Sequence, residues 1–260
     1  MTTSARLPAA ELSYDVHGTG PALVLAHGAG GSAEANWGGV IAPLAETCTV
    51  VSVDFPGAGA TPPAAGPLML DRLADQLVDA ATEAAGPSFA LVGFSLSCAV
   101  AVRAAVRHPQ RIRALVLIGG FAHADAHLRL VADLWEDLLD LPARTVGRFL
   151  TLVALSPAAR GLLTEQARDE QAELAGAALA PGTRAHLDLL RRVDVRADLP
   201  RVGVRTLVVG LGADDVVLPS NQRALRDAIP GAEYAELDSG HLAMAERPDE
   251  LVATLRGFLA

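Results

Sequence analysis

The apolar positions of the chain fall into two rhythms. Short unbroken runs at residues 22–27, 49–54, 89–94, 114–119 and 206–211 are rich in Val, Leu and Ile and have glycines near their ends. A strand that is apolar at every position has no face for water, so these runs are predicted as parallel strands buried on both sides. Between them, residues 33–46, 68–85 and 96–107 carry apolar positions at helical spacing. Strands alternating with helices imply an α/β fold with a mostly parallel, twisted sheet and right-handed crossovers. Residues 11–21 read as an earlier strand ending in a turn, suited to an antiparallel edge.

The rhythm breaks after Gly120. No good strand is predicted across 121–200. Helical patterns occupy 128–139, 145–155, 162–179 and 183–193, punctuated by Pro142, Pro157 and Pro181. The strand–helix order then resumes with a strand at 205–211, a helix from about 220, a strand at 234–237 and a last helix from about 248. The expected organisation is a core built from 1–120 and 201–260, interrupted by a helical insertion at 121–200.

Composition narrows the function. The 260 residues are 51% hydrophobic, yet no run approaches the ~18 apolar residues of a membrane span. The first ten residues lack the apolar core of a signal peptide, so the expected location is cytoplasmic, with no membrane partner. A formal charge of −9 argues against nucleic acid. All 21 basic residues are arginine, which removes lysine Schiff-base chemistry and a P-loop. The two cysteines, Cys48 and Cys98, each sit in an apolar stretch and are expected in the core. No Cys/His cluster has zinc-ligand spacing, so neither a metal nor an organic cofactor is expected.

The chemistry concentrates where predicted strands end. In LVGFSLSCAV, Ser95 follows the strand at 89–94 and opens the helix at 96–107. Such a turn exposes a nucleophile and places a helix N-terminus beside developing negative charge, provided small residues lie two before and two after it. Gly93 meets the first requirement, and Ser97 brings one hydroxymethyl group more than glycine to the second. The segment taken alone equally describes an N-capping serine. DSGHLAMAERPDE places His241 after a strand and a Ser-Gly turn, where an imidazole can shuttle a proton. GLGADDVVLPS places two adjacent aspartates just past another strand end, either of which could hold the imidazole tautomer. LAHGAGGSAEANW is a Gly-rich turn whose backbone N–H groups, with that of Leu96, can bind an oxyanion. The order Ser, acid, His, each at a strand end, is that of one fold.

Together HGAGG, VDFPGAG, GFSLS, GADDVVLP and GHLAMAERP make the chain resemble the α/β-hydrolase superfamily over nearly its whole length. The resemblance implies Ser95 as nucleophile, His241 as base and an aspartate as its orienter, with the N–H groups of Ala29 and Leu96 as oxyanion donors. It implies that His27 and Asp54 organise loops rather than perform chemistry, and that the 121–200 insertion is a cap, or lid. Family spacing from Gly212 and to Pro219 selects Asp215 as the acid, whereas counting from Thr206 selects Asp214; Asp215 is the expected acid. Serine in place of aspartate at the elbow implies an acyl-enzyme.

The expected activity is therefore that of a serine esterase acting on a small, mostly apolar carboxylic ester, thioester or lactone. C–C bond hydrolysis, lyase or cyclase chemistry on the same triad, and slow-turnover ligand binding, are the alternatives. Arg129, Arg144 and Arg148 in the insertion are expected on solvated helix surface. A small acyl molecule is the expected partner, and the chain is expected to be a monomer or homodimer.

Overall fold

The computed structural model of the chain describes residues 3–5 and 12–260. Eight strands, β1 (Thr3–Ala5), β2 (Tyr14–His17), β3 (Ala22–Ala26), β4 (Thr49–Val53), β5 (Phe89–Phe94), β6 (Ile112–Ile118), β7 (Arg205–Leu211) and β8 (Glu233–Leu237), form one sheet in the order β1-β2-β4-β3-β5-β6-β7-β8. β1 and β2 run antiparallel to their neighbours, and the six strands from β4 to β8 are mutually parallel. The segment at 11–21 does supply an antiparallel strand, but β1 lies outside it, so β2 is not the outermost strand; Glu11 lies outside the described residues.

The unbroken apolar runs are explained by burial on both faces. Val24 and Ala26 of β3 join one core cluster while Leu23 and Leu25 join the other, and β5 divides in the same way, Leu91 from Val92 and Phe94. Alternation with period two sends neighbours to opposite faces, and both faces are covered. Helices α2 (Leu70–Ala85) and α3 (Leu96–Arg107) cover one face, and α1 (Ala33–Ala45) covers the other with the C-terminal helix at Pro248–Leu259. Each fully buried aliphatic side chain contributes about 1.5–3 kcal/mol.

Between β6 and β7 the chain passes through α4 (Ala126–Leu138), α5 (Ala143–Ala154), α6 (Pro157–Gly161), α7 (Glu165–Ala177) and α8 (Thr183–Arg192). The helix predicted at 162–179 is α7, while the five-residue α6 before it falls outside the predicted helices. Ser156 caps α6 by accepting the Ala159 N–H, and Thr164 caps α7 by accepting the Ala167 N–H. Two N-caps eight residues apart start two helices. α5 and α7 cross at backbone contact: a Cβ at Gly147 would lie 1.8 Å from the Ala172 carbonyl oxygen. After β7 come α9 (Pro219–Ala228), β8, α10 (Ala243–Glu246) and α11 (Pro248–Leu259). Among the described residues no helix is long and apolar enough to cross a membrane.

β3 lies between β4, which follows it in the chain, and β5. The direction of winding therefore reverses between β3 and β5. In open α/β sheets a crevice forms outside the carboxyl ends of the strands at such a reversal.

Candidate active site

Ser95 stands at the carboxyl end of β5 with φ 55° and ψ −120°, the sole non-glycine residue with positive φ among those described. That conformation costs about 1–3 kcal/mol and persists only where its surroundings enforce it. Here the Ser95 N–H donates to the Ile118 carbonyl at 2.9 Å, and the Ser95 carbonyl accepts from Cys98 N–H at 3.0 Å. Gly93 is required, because a Cβ there would lie 2.7 Å from the Ser97 carbonyl oxygen. Ser97 itself is fully buried. Its hydroxyl accepts the Phe94 N–H at 2.7 Å, and its proton faces the carbonyls of Ala26 at 2.7 Å and Phe94 at 2.9 Å. The extra hydroxymethyl group is thus seated in hydrogen bonds that link β5 to β3. Cys98 is buried one turn along, and burial pushes its thiol well above the usual range.

His241 follows β8 on the loop after Ser239 and Gly240. Its Nε2 lies 3.0 Å from Ser95 Oγ and its Nδ1 lies 2.7 Å from Asp214 Oδ2. A carboxylate only accepts, so Nδ1 carries the proton and Nε2 is free to accept from the serine hydroxyl. The Phe94 ring packs on the imidazole with centroids 4.8 Å apart. Gly119, at φ 56°, ends β6 directly below. A Cβ there would sit 3.5 Å from both His241 Nδ1 and Asp214 Oδ2, in a conformation that side chains rarely adopt.

The structure corrects the expected acid. Asp214, not Asp215, meets His241. Asp214 is 1% exposed, and its Oδ1 accepts the N–H groups of Val216 at 2.8 Å and Val217 at 2.9 Å. Its Oδ2 accepts from Gln222 Nε2 at 3.1 Å as well as from His241. A buried carboxylate is tolerable only when its lone pairs are met in this way. Asp215, next along the turn, projects its side chain outward, 52% exposed, toward Arg160 of α6 at 3.4 Å. The turn folds around the residue whose carboxylate can collect the N–H groups two and three positions ahead.

The loop after β3 lies against the nucleophile: a Cβ at Gly28 would be 3.2 Å from Ser95 Cβ. Ala29 and Ser95 line the same cavity, and Leu96 is the first residue of α3, where an N–H has no intrahelical acceptor. His27 and Asp54 act on this loop. His27 Nδ1–H donates to the Gly28 carbonyl at 2.7 Å, and its Nε2 accepts the Phe55 N–H at 2.9 Å. Asp54 Oδ1 accepts the Ala33 N–H at 2.8 Å, anchoring the start of α1. The sequence reading missed His186 of α8. Its Nδ1 accepts the Gly30 N–H at 3.1 Å and its Nε2–H donates to the Pro56 carbonyl at 3.0 Å, pinning the loop to the insertion. Burial holds both imidazoles well below the usual histidine range, at about 4 each, and their proximity adds to the effect on His186.

A cavity of about 300 Å³ opens over Ser95 and His241. Its far walls are helical stripes: Leu128, Val131 and Trp135 from α4, and Gln171, Leu174 and Ala175 from α7. Arg129, Arg144 and Arg148 do not reach it. Arg144 and Arg148 pair with Asp169 at the surface, and Arg129 donates to the Ala124 carbonyl. Among the described residues no group of three or more His, Cys, Asp or Glu is placed to hold a metal ion.

A strained serine, a buried carboxylate and an imidazole thus stand beyond the carboxyl ends of β5, β7 and β8 of one parallel sheet. The profile of the alpha/beta hydrolase family matches residues 23–254, and the chain belongs to that family. Among its relatives is the pyrrolizixenacetamide deacetylase of Xenorhabdus hominickii, 34% identical over 96% of this chain and 95% of the relative. Another is a pimeloyl-[acyl-carrier protein] methyl ester esterase of Xanthomonas campestris pv. campestris, 33% identical over 96% of this chain and 99% of the relative. A solved hydrolase from Pseudomonas aeruginosa PA01 superposes with a TM-score of 0.85 at 23% identity, covering 100% of this chain and 98% of that one. The chain is a hydrolase resembling the carboxylic ester hydrolases.

Proposed function

We propose that the protein is a serine hydrolase that cleaves a small, mostly apolar carboxylic ester through an acyl-enzyme. The observation carrying this reading is the hydrogen-bond chain from Ser95 Oγ through His241 to Asp214. In the proposed first half-reaction His241 Nε2 takes the Ser95 proton as Oγ attacks the acyl carbon, and the backbone N–H groups of Ala29 and Leu96 receive the developing oxyanion. Asp214 stabilises the imidazolium. The imidazolium then gives its proton to the departing alkoxide. In the second half-reaction water, deprotonated by His241, releases the acid and restores Ser95. The helices between β6 and β7 act as a cap, and their apolar wall supports an acyl group without charge.

A second reading is cleavage of a short acyl amide, favoured by the relative named as a pyrrolizixenacetamide deacetylase. A fluorophosphonate probe followed by mass spectrometry tests the shared chemistry. Labelling on Ser95, absent in Ser95→Ala, is expected, and a folded protein unlabelled at Ser95 overturns the proposal. Turnover of p-nitrophenyl esters against the matching anilides then separates ester from amide specificity.

A further inference from the structure

Gln222 belongs to no motif, yet it sits directly behind the acid. It lies in the second turn of α9 and is fully buried. Its Oε1 accepts the Leu211 N–H at 2.6 Å, and its Nε2 donates to the Val217 carbonyl at 2.7 Å and to Asp214 Oδ2 at 3.1 Å. These three bonds meet the end of β7, the far side of the 211–217 turn and the carboxylate between them. A primary amide has two N–H donors, and both are spent inside this turn.

We propose that Gln222 is a positioning residue for the reaction, holding the Asp214 carboxylate in the rotamer that meets His241; the inference rests on the Ser95–His241–Asp214 reading above. The two backbone N–H groups on Oδ1 hold one end of the carboxylate. The Cα–Cβ–Cγ–Oδ torsion of aspartate is soft. Both oxygens turn together about that torsion, so partners on Oδ1 and Oδ2 set it jointly, and among the described residues Oδ2 meets His241 and Gln222. During catalysis His241 moves its proton and changes charge, so it is the less constant partner. The Gln222 amide keeps its geometry throughout. The same brace explains which aspartate faces inward. By tying Leu211 N–H and the Val217 carbonyl to one side chain, it sets the span of the turn, and Asp214 falls on its inner side. An apolar side chain at 222 would leave a buried N–H, a buried carbonyl and part of a carboxylate without partners.

The test compares wild type, Gln222→Met and Gln222→Glu. Methionine keeps the length and removes every bond. Glutamate keeps an acceptor for Leu211 N–H but has at most one proton to donate, so it cannot serve both the Val217 carbonyl and Asp214 Oδ2. Five quantities are measured on folded protein: the rate of Ser95 labelling by a fluorophosphonate, kcat and KM on a p-nitrophenyl ester, the proton resonance of His241 Nδ1–H, and the melting temperature. In both variants labelling and kcat are expected to fall roughly ten- to a hundredfold, the scale of a sub-ångström to 1 Å misplacement. KM should stay within about threefold because Gln222 does not line the cavity. The Nδ1–H resonance should leave its wild-type position. A brace that serves stability alone would lower the melting temperature and leave the labelling rate and the resonance unchanged, and that result overturns the proposal. If Gln222→Met does not fold, Gln222→Glu decides by the same measurements. Wild type that fails to label at Ser95 overturns the reading of the site and this inference with it. Wild type that labels, alongside variants labelling equally fast, overturns the inference alone.

Discussion

Two adjacent aspartates of the same chemistry have opposite surroundings. Asp214 has four hydrogen-bond donors and almost no water; Asp215 has a half-exposed carboxylate beside Arg160. Asp214→Asn is expected to lower kcat by about 10³–10⁴, since an amide at this position no longer selects the correct imidazole tautomer. Asp215→Asn should stay within a few-fold, because a surface ion pair is worth at most about 1 kcal/mol. Parallel kcat measurements on the two variants check the assignment. The strand–helix turn at Ser95, flanked by Gly93 and Ser97, was legible in the chain because such a turn imposes local demands on its neighbours. The choice of aspartate was not. Both carry the same side chain, and only the path of the turn decides which one is enclosed.

At the scale of elements, the wall of the cavity depends on how closely α5 and α7 approach. Gly147 meets the Ala172 carbonyl, and Gly176 meets that of Ala143, with hypothetical Cβ distances of 1.8 and 2.2 Å. Both α7 residues that are buried, Ala172 and Gly176, lie in this crossing, while Leu174 and Ala178 line the cavity. Gly147→Leu should therefore displace α7 bodily. The expected results are a loss of about 1–3 kcal/mol in unfolding free energy and a several-fold rise in KM for long acyl esters, with short esters affected less. Denaturant titration and a chain-length series check both. The β–α alternation and the run of helices between β6 and β7 were visible in the sequence because hydrophobic period follows directly from burial. The short α6 was not read, since it turns on the capping residue Ser156 rather than on period.

For the whole molecule, α8 and the loop after β3 are joined through a pair of buried neutral histidines. His27 and His186 have ring centroids 5.8 Å apart, and each has both nitrogens hydrogen-bonded. Their folded-state values of about 4 lie below the ordinary 6.5. Between those values the unfolded chain binds protons that the folded one does not. Stability is thus full above about pH 6.5 and falls as pH drops toward 4, by up to about 1.4 kcal/mol per unit for each group. Protonation would also cost His186 its acceptance of the Gly30 N–H. Melting temperatures from pH 7.5 to 4.5 should fall, and His186→Gln should fall less steeply over the same window. An identical slope in that variant would contradict the assignment.

What the sequence alone determined is what burial and turn geometry write into neighbouring residues. Strands sheathed on both faces read as unbroken apolar runs, and the sharp turn at Ser95 needs Gly93 before it and a small residue after it. The tertiary structure decided the rest: Asp214 rather than Asp215 against His241, His186 against the loop after β3, and Gln222 behind Asp214. Each of these is a buried polar side chain meeting groups that the local sequence does not name, in His186's case 156 positions away. Such a partner is chosen by the need to leave no buried donor or acceptor unpaired, and that need arises only once the elements have packed.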